Sequence, residues 1–483
     1  MMRTENYIGG EWRQGGGESF ASFDPATGDK VWEGRAASED DVAEAMAAAR
    51  LAFPAWSRRP LTERLEIVRA FAKGIEKRAD DIARTISREM GKALWDSKGE
   101  VQAMIGKIEI SIRAQAERAG AREEKAAFGA MTLSHHAHGV LAVFGPFNFP
   151  GHLPNGHIVP ALLAGNCVLF KPSELAPGVA ALMLEAWEEA GLPAGVLNLL
   201  QGGRETGAAL LDSHGLNGVL FTGSAQTGAL IHKKFAGRPD VVLALELGGN
   251  NPLIVWPPVD AKAAANLIVH SAFATSGQRC SCARRLILPA GSAGDEIIAA
   301  LVALTPQISA GPATQTPEPF LGPLVNAHAA ERAVHFEQGL LALGGKSILA
   351  VKREGALVYP GIVDVTGLAP PDEELFGPVL QVYRVADFDH ALDIANATRF
   401  GLAGGLISDD PALWARVKHE MRAGVLNWNR PTTGASGAMP FGGPGLSGSL
   451  RPSAYYAADY VAYPVATQLS EKAAAIPAPG LPS

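Results

Sequence analysis

Beyond His138 the chain repeats one pattern. Short runs of uniformly apolar residues, at 139–144, 167–170, 196–200 and 218–221, alternate with segments of helical spacing at 155–163, 178–190 and 205–211. The runs are too short and too evenly apolar for surface helices, and they predict strands buried on both faces of a parallel sheet. A second block begins near Asn251, with an apolar run at 252–256, a helix at 260–274, a strand at 285–288 and further strand–helix units through 427. This rhythm predicts an α/β fold with two doubly wound, Rossmann-type sheets, whose ligands bind beyond the carboxyl ends of the strands. Before it, the first forty residues read as short strands and turns, and three helices follow. Ser38 precedes Glu39, Asp40 and Asp41 as an N-cap with acids in the first turn, and an Ala-rich run continues to about Trp56. The second helix runs from Pro60 to about Met90 with Leu61, Leu65, Val68 and Phe71 on one face, and the third spans about 94–119.

Composition narrows the class. The 483 residues suggest about three domains, with 47% hydrophobic and 19% charged residues, enough apolar material for large cores. Lys and Arg number 42 against 49 Asp and Glu, so the net charge of −7 argues against a surface built to wrap nucleic acid. No apolar run is long enough to cross a bilayer, and the N-terminus lacks the apolar core of a secretory signal. Three cysteines, Cys167, Cys280 and Cys282, do not make a disulfide scaffold. A cytoplasmic enzyme is the expectation.

Four segments carry candidate chemistry. Phe221-Thr222-Gly223-Ser224 closes an apolar run and opens a helix through Thr227 and Gly228. Its backbone N–H groups could face a phosphate, or Ser224 could simply cap a tight turn. Lys171, Ser173 and Glu174 follow another buried strand, where they could grip ribose hydroxyls or merely begin a solvated loop; a carboxylate there favours NAD over NADP. Cys280 sits in a polar turn rather than an apolar stripe, and a thiol at a helix start or beside a cation has a lowered pKa and acts as a nucleophile. Glu246 lies between an apolar strand and a double glycine, where a buried acid would have a raised pKa and could serve as a general base or as a satisfied structural carboxylate. Neither the Cys-x-Cys pair nor the run His135, His136 and His138 has metal-ligand spacing, so no metal is expected. Gly443-Pro-Gly445-Leu-Ser-Gly448 matches a dinucleotide fingerprint only in letters, follows no strand and reads as a structural turn.

Taken in order, Phe147-Asn148-Phe149-Pro150, Lys171 to Glu174, Phe221 to Gly228, Glu246-Leu-Gly-Gly, Gly277-Gln-Arg-Cys280, Glu374-Leu-Phe376-Gly-Pro and Pro440-Phe-Gly-Gly443 resemble the aldehyde dehydrogenase superfamily over nearly the whole chain. The resemblance implies Cys280 as nucleophile, Glu246 as base and Asn148 as the oxyanion amide. It further implies Glu374 and Phe376 at the nicotinamide ribose and ring, Lys171 and Glu174 at the adenosine ribose, and NAD as cofactor. It implies an NAD-binding domain of 1–119 and 139–246, a catalytic domain of 247–430, and an oligomerisation arm of 120–138 and 440–483 that pairs homodimers or homotetramers. The Tyr-rich run 455–463 is expected to bury in that arm. Phe147 replaces the commoner Trp and Asn250 the commoner Lys; both agree with the branch acting on N-succinylglutamate 5-semialdehyde. Another acidic semialdehyde, such as succinate semialdehyde, or a binding protein without turnover, remain the alternatives. An acidic substrate calls for cations in the pocket, with Arg279, Arg284, Arg285, Arg113 and His152 as candidates for a clamp including one bidentate arginine, and Phe441 beside them.

Overall fold

The apolar runs become strands because both of their faces are covered: every residue of Val140–Phe144 and Cys167–Lys171 is buried. The computed structural model describes residues 2–481. Its first sheet has seven strands in the order Val242–Leu247, Gly218–Gly223, Val140–Phe144, Cys167–Lys171, Leu197–Leu199, Asn6–Ile8 and Glu11–Arg13. The first five run parallel and the two N-terminal strands close the edge antiparallel. The register sets Phe144 opposite both Lys171 and Phe221, and Thr222 opposite Glu246. Lys171, Gly223 and Glu246 therefore all emerge at one carboxyl edge, as a doubly wound sheet requires of its ligand residues.

The second sheet is ordered Lys346–Leu349, Gly361–Asp364, Val379–Val385, Ala283–Pro289, Asn251–Val255, Ala403–Ile407 and Val425–Trp428, parallel except for its first strand. Helices clad both sheets. The expected helix from Pro60 to Met90 is two, Leu61–Lys77 and Ala79–Met90, which meet at Arg78. The break lets Phe71 and Ile75 of one and Ile82 and Met90 of the other enter the same core, where Phe71 stacks on Trp187 with ring centroids 3.8 Å apart.

The arm is a three-stranded antiparallel sheet with Gly129–Ala137 between Arg122–Ala126 and Ala462–Leu469. It is smaller than the sequence predicts. Of the segment 440–483, only Ala462–Leu469 pairs into it, because Phe441, Ser453 and Ala454 line the cleft between the sheets and Tyr460 is buried against His157. The tyrosine run is thus divided: Tyr460 enters the core, Tyr455 and Tyr456 meet Glu117 and Arg118, and Tyr463 is exposed on the arm. Gly443 to Gly448 makes a structural turn, with Ser447 Oγ donating to Gly248 O at 2.8 Å. Among the described residues, no helix is long and apolar enough to cross a membrane.

Candidate active site

The helix Ala261–Phe273 ends where three successive residues turn left-handed: Thr275 and Ser276 at φ 54° and Gly277 at φ 75°. Non-glycine residues there are strained and persist only when neighbours over-determine them. Here Thr275 Oγ1 donates to Asp96 Oδ2 at 2.5 Å and Ser276 Oγ to Gly322 O at 2.6 Å. A Cβ on Gly277 would stand 2.3 Å from Gly377 O, so only glycine completes the turn. The reversal delivers Gln278 to Cys280 into the cleft ahead of the strand Ala283–Pro289. Asn251 Nδ2 holds the loop by donating to Cys280 O at 2.7 Å and Cys282 O at 2.8 Å, and Asn148 Nδ2 donates to Gln278 O at 3.0 Å.

Cys280 departs from expectation in its electrostatics. It lies in a turn as the sequence suggests, but desolvation pushes its thiol up to about 12, with the carboxylates of Glu374 and Glu246 adding to the effect. No cation dominates its surroundings. Glu246 is buried, which holds its carboxyl well above the ordinary range despite a hydrogen bond from Ser453 N to Oε1 at 3.1 Å. Its Oε2 has no partner among the described residues, so it is not a satisfied structural carboxylate. Burial raises Glu374 to about 7, opposed by Arg284 at 3.8 Å. Gly248 makes room for it: a Cβ there would lie 1.6 Å from Glu374 Oε2. Phe376 meets Phe147 edge-on at 5.9 Å. Cys280, Glu246, Asn148, Glu374 and Phe376 line a single cleft of about 910 Å³ between the sheets.

The same cleft reaches Lys171, Ser173, Glu174, Gly223, Ser224 and Thr227. Ser224 caps the helix Ala225–Lys234, its Oγ accepting from Thr227 N at 3.2 Å. Other N–H groups of that first turn lack intrahelical acceptors, which suits a phosphate. Lys171 is less free than expected. Its Nζ donates to Pro172 O at 2.6 Å and Gly202 O at 2.8 Å, and burial lowers it to about 8. Gly228 does not line the cleft; a Cβ there would be 2.4 Å from Leu247, so it lets the helix pack closely on the strand Val242–Leu247. The capped helix start and the carboxylate of Glu374, seated against Gly248 at the cleft wall, together fit a dinucleotide.

The arginine clamp is not present. Arg284 donates through its terminal nitrogens to Gly277 O and Arg279 O, with its buried Nε unpartnered among the described residues, and Arg285 donates to Asn250 O, Ile394 O and Ala395 O; neither guanidinium lines the cleft. Arg113 is exposed on the helix Leu94–Arg118, outside the cleft. Arg279 lines the cleft but donates to Asp96 Oδ1 at 2.8 Å and Thr275 Oγ1 at 2.7 Å, locking the strained turn. His152 lines it as a neutral group, because burial and then the ammonium groups of Lys107 and Lys92 push it down to about 4. Phe441 is at the cleft wall. Sequence reasoning missed Lys107, His157 and Asp96. His157 bridges Tyr460 Oη at 2.8 Å and Thr222 Oγ1 at 3.2 Å. Its sequence signal is weak, one of three polar side chains with His152 and Asn155 in a largely apolar helix.

A strained turn carrying a cysteine, a side-chain amide bonded to that loop, an unpartnered buried carboxylate and a dinucleotide-sized cleft suit covalent oxidation of a carbonyl. Residues 12–463 match the model of the aldehyde dehydrogenase family, and the chain belongs to that family. It is 57% identical over 466 residues to N-succinylglutamate 5-semialdehyde dehydrogenase 2 of Caulobacter vibrioides, covering 95% of each chain. To N-succinylglutamate 5-semialdehyde dehydrogenase of Paraburkholderia xenovorans it is 52% identical over 468 residues, covering 96% of each. Among solved structures, 1-pyrroline-5-carboxylate dehydrogenase from Thermus with bound NAD superposes with a TM-score of 0.90 at 31% identity, over 96% of this chain and 92% of that one.

Proposed function

We propose that this protein oxidises N-succinyl-L-glutamate 5-semialdehyde to N-succinyl-L-glutamate, with NAD as the electron acceptor, in the breakdown of arginine. The observation that carries the proposal is the meeting of Cys280, the Asn148 amide and the open Oε2 of Glu246 in one cleft, in a chain more than half identical to relatives named for that substrate. The Cys280 sulfur adds to the aldehyde carbon as the thiol proton leaves to water. The oxygen of the resulting thiohemiacetal takes hydrogen bonds from Asn148 Nδ2 and the Cys280 N–H, donors typically worth ~3 kcal/mol each. When bound, NAD accepts the hydride that leaves that carbon, and a thioester on Cys280 remains. Glu246 then takes a proton from water, the hydroxide attacks the thioester, and the carboxylate product departs as the thiol is restored.

Glu374 and Phe376 would hold the nicotinamide end, with Lys171, Ser173 and Glu174 at the adenosine ribose and Gly223, Ser224 and Thr227 at the phosphates. Glu174 supports NAD over NADP, since its carboxylate would repel a 2′-phosphate. The arm supports a homodimer or homotetramer: its outer strands leave backbone groups unpaired, and Met131, Tyr463 and Leu469 stand exposed on it. The test is steady-state NADH formation with N-succinylglutamate semialdehyde, succinate semialdehyde and a neutral aldehyde, each with NAD and NADP. The largest kcat/KM is expected for the first with NAD, and Cys280→Ser should lose at least ~10³-fold. A larger value on succinate semialdehyde refutes the substrate assignment, and turnover retained by the serine variant refutes the covalent route.

A further inference from the structure

An acidic substrate needs a cation, and the arginines expected to supply it are engaged elsewhere. Lys107, on the helix Leu94–Arg118, is 2% exposed, lines the cleft, and its Nζ has no hydrogen-bond partner among the described residues. Its neighbours cannot neutralise it. Glu100, seven residues earlier, is committed: Oε2 accepts from Lys92 Nζ at 2.8 Å, while Oε1 accepts from Gly151 N at 2.9 Å and His152 N at 3.1 Å. His152 and His157 also line the cleft, and burial keeps both uncharged. An ammonium removed from water without a counter-ion is strongly unfavourable unless something else answers it. A second helix points the same way. Gly156 lies inside His152–Ala164 at an ordinary helical conformation, where glycine is a poor helix former and nothing in the backbone demands it. A Cβ at 156 would meet Lys107 Cε at 3.8 Å, so any larger side chain would fill the space beside the ammonium.

We propose that Lys107 receives a carboxylate of the aldehyde substrate, in a chamber that Gly156 keeps open. The inference rests on the substrate class given above and adds the residue that selects it. A proton relay from Lys107 through His157 and Tyr460 towards Glu246 is the competing role. Only the His157–Tyr460 contact on that path is hydrogen-bonded, Lys107 Nζ having no partner among the described residues, and burial drives the His157 ring down to about 3 and holds Tyr460 well above a free tyrosine, so neither carries a proton readily.

The experiment compares parent, Lys107→Met and Lys107→Arg, each as the full chain with saturating NAD. The substrates are N-succinylglutamate semialdehyde, N-acetylglutamate semialdehyde and a neutral straight-chain aldehyde. The expected result is a fall of ~10- to 150-fold in the ratio of kcat/KM on N-succinylglutamate semialdehyde to that on the neutral aldehyde in Lys107→Met. The change should appear in KM, with partial recovery in Lys107→Arg. A similar loss on the N-acetyl compound assigns Lys107 to the carboxylate beside the amide, and a loss confined to the N-succinyl compound assigns it to the distal one. An unchanged ratio in a variant that melts no lower than the parent overturns the inference, as does an equal kcat loss on all three aldehydes, which is the relay's signature. A parent without preference for acidic aldehydes overturns the substrate proposal itself, and the inference with it.

Discussion

Replacing Lys107 by methionine should make the protein more stable, not less. Burial takes the ammonium from the 10.5 of a free lysine down to about 8, with no carboxylate offsetting it. At 1.36 kcal/mol for each tenfold change in proton affinity, the charged group destabilises the folded chain by roughly 3 kcal/mol wherever it is protonated in both states. The sign follows from linkage. Because the folded-state affinity is depressed, the unfolded chain binds the extra proton between about pH 8 and 10.5, and parental stability rises across that window. Methionine has similar length and no charge, so Lys107→Met should gain up to ~3 kcal/mol at pH 7, which in a chain this long is a Tm increase of a few degrees. The gain should shrink above pH 8 and vanish near pH 10.5. Differential scanning fluorimetry of both proteins from pH 6 to 10.5 measures it. A variant that melts lower at pH 7, or one whose gain does not change with pH, refutes the account of Lys107 as a buried, unpaired cation.

Two further substitutions test the loop and the base. Glu246→Gln should leave thioester formation intact and stop its hydrolysis, giving a burst of about one NADH per active site followed by slow turnover; a linear parental rate would falsify the role. In the parent, hydrolysis should accelerate with rising pH, since burial holds Glu246 protonated to well above the ordinary carboxylate range and only its deprotonated form accepts the proton from water. Asp96→Asn removes the partner of Arg279 and of the strained Thr275, and should cost about 3 kcal/mol in stability and lower kcat by displacing Cys280. Parental melting and turnover in that variant would show that the turn is held by other contacts.

How much could be read from letters depended on whether a residue's role is set locally. The strands were legible because a short apolar run between helical segments has few other destinations, and Cys280 and Glu246 stood out as polar residues where apolar ones were due. Lys107 did not. A lysine on a helix otherwise reads as solvated, and only the packing of Leu94–Arg118 against His152–Ala164 turns it inward. Arg284 and Arg285 failed in the opposite direction: the sequence advertises two guanidinium groups, but the fully buried strand Ala283–Pro289 brings them to carbonyls of distant loops and of the end of the helix Phe388–Asn396. The break at Arg78 escaped notice because the two helices it joins carry similar apolar spacing, and only their shared core sets the angle.

The thiol poses the sharpest electrostatic question. With Cys280 pushed up to about 12, only on the order of one molecule in 10⁵ carries the thiolate at pH 7. Burial is the first cause, and the two carboxylates that chemistry elsewhere in the cleft requires, Glu374 and Glu246, add to it. Held protonated in this way, the half-buried sulfur is a poor nucleophile until positive charge enters the cleft. Cations favour a thiolate in proportion to their proximity and to the dryness of the site. Alkylation of Cys280 by iodoacetamide at pH 7 should thus be slower than that of a free thiol, and should accelerate when oxidised NAD is added but not reduced NADH, whose ring is uncharged. Mass spectrometry of the peptide bearing Cys280 reads the rate directly. Equal acceleration by both forms would mean that a rearrangement of the loop, rather than charge, activates the sulfur, and rapid alkylation without either would mean that burial and the two carboxylates do not hold the thiol protonated.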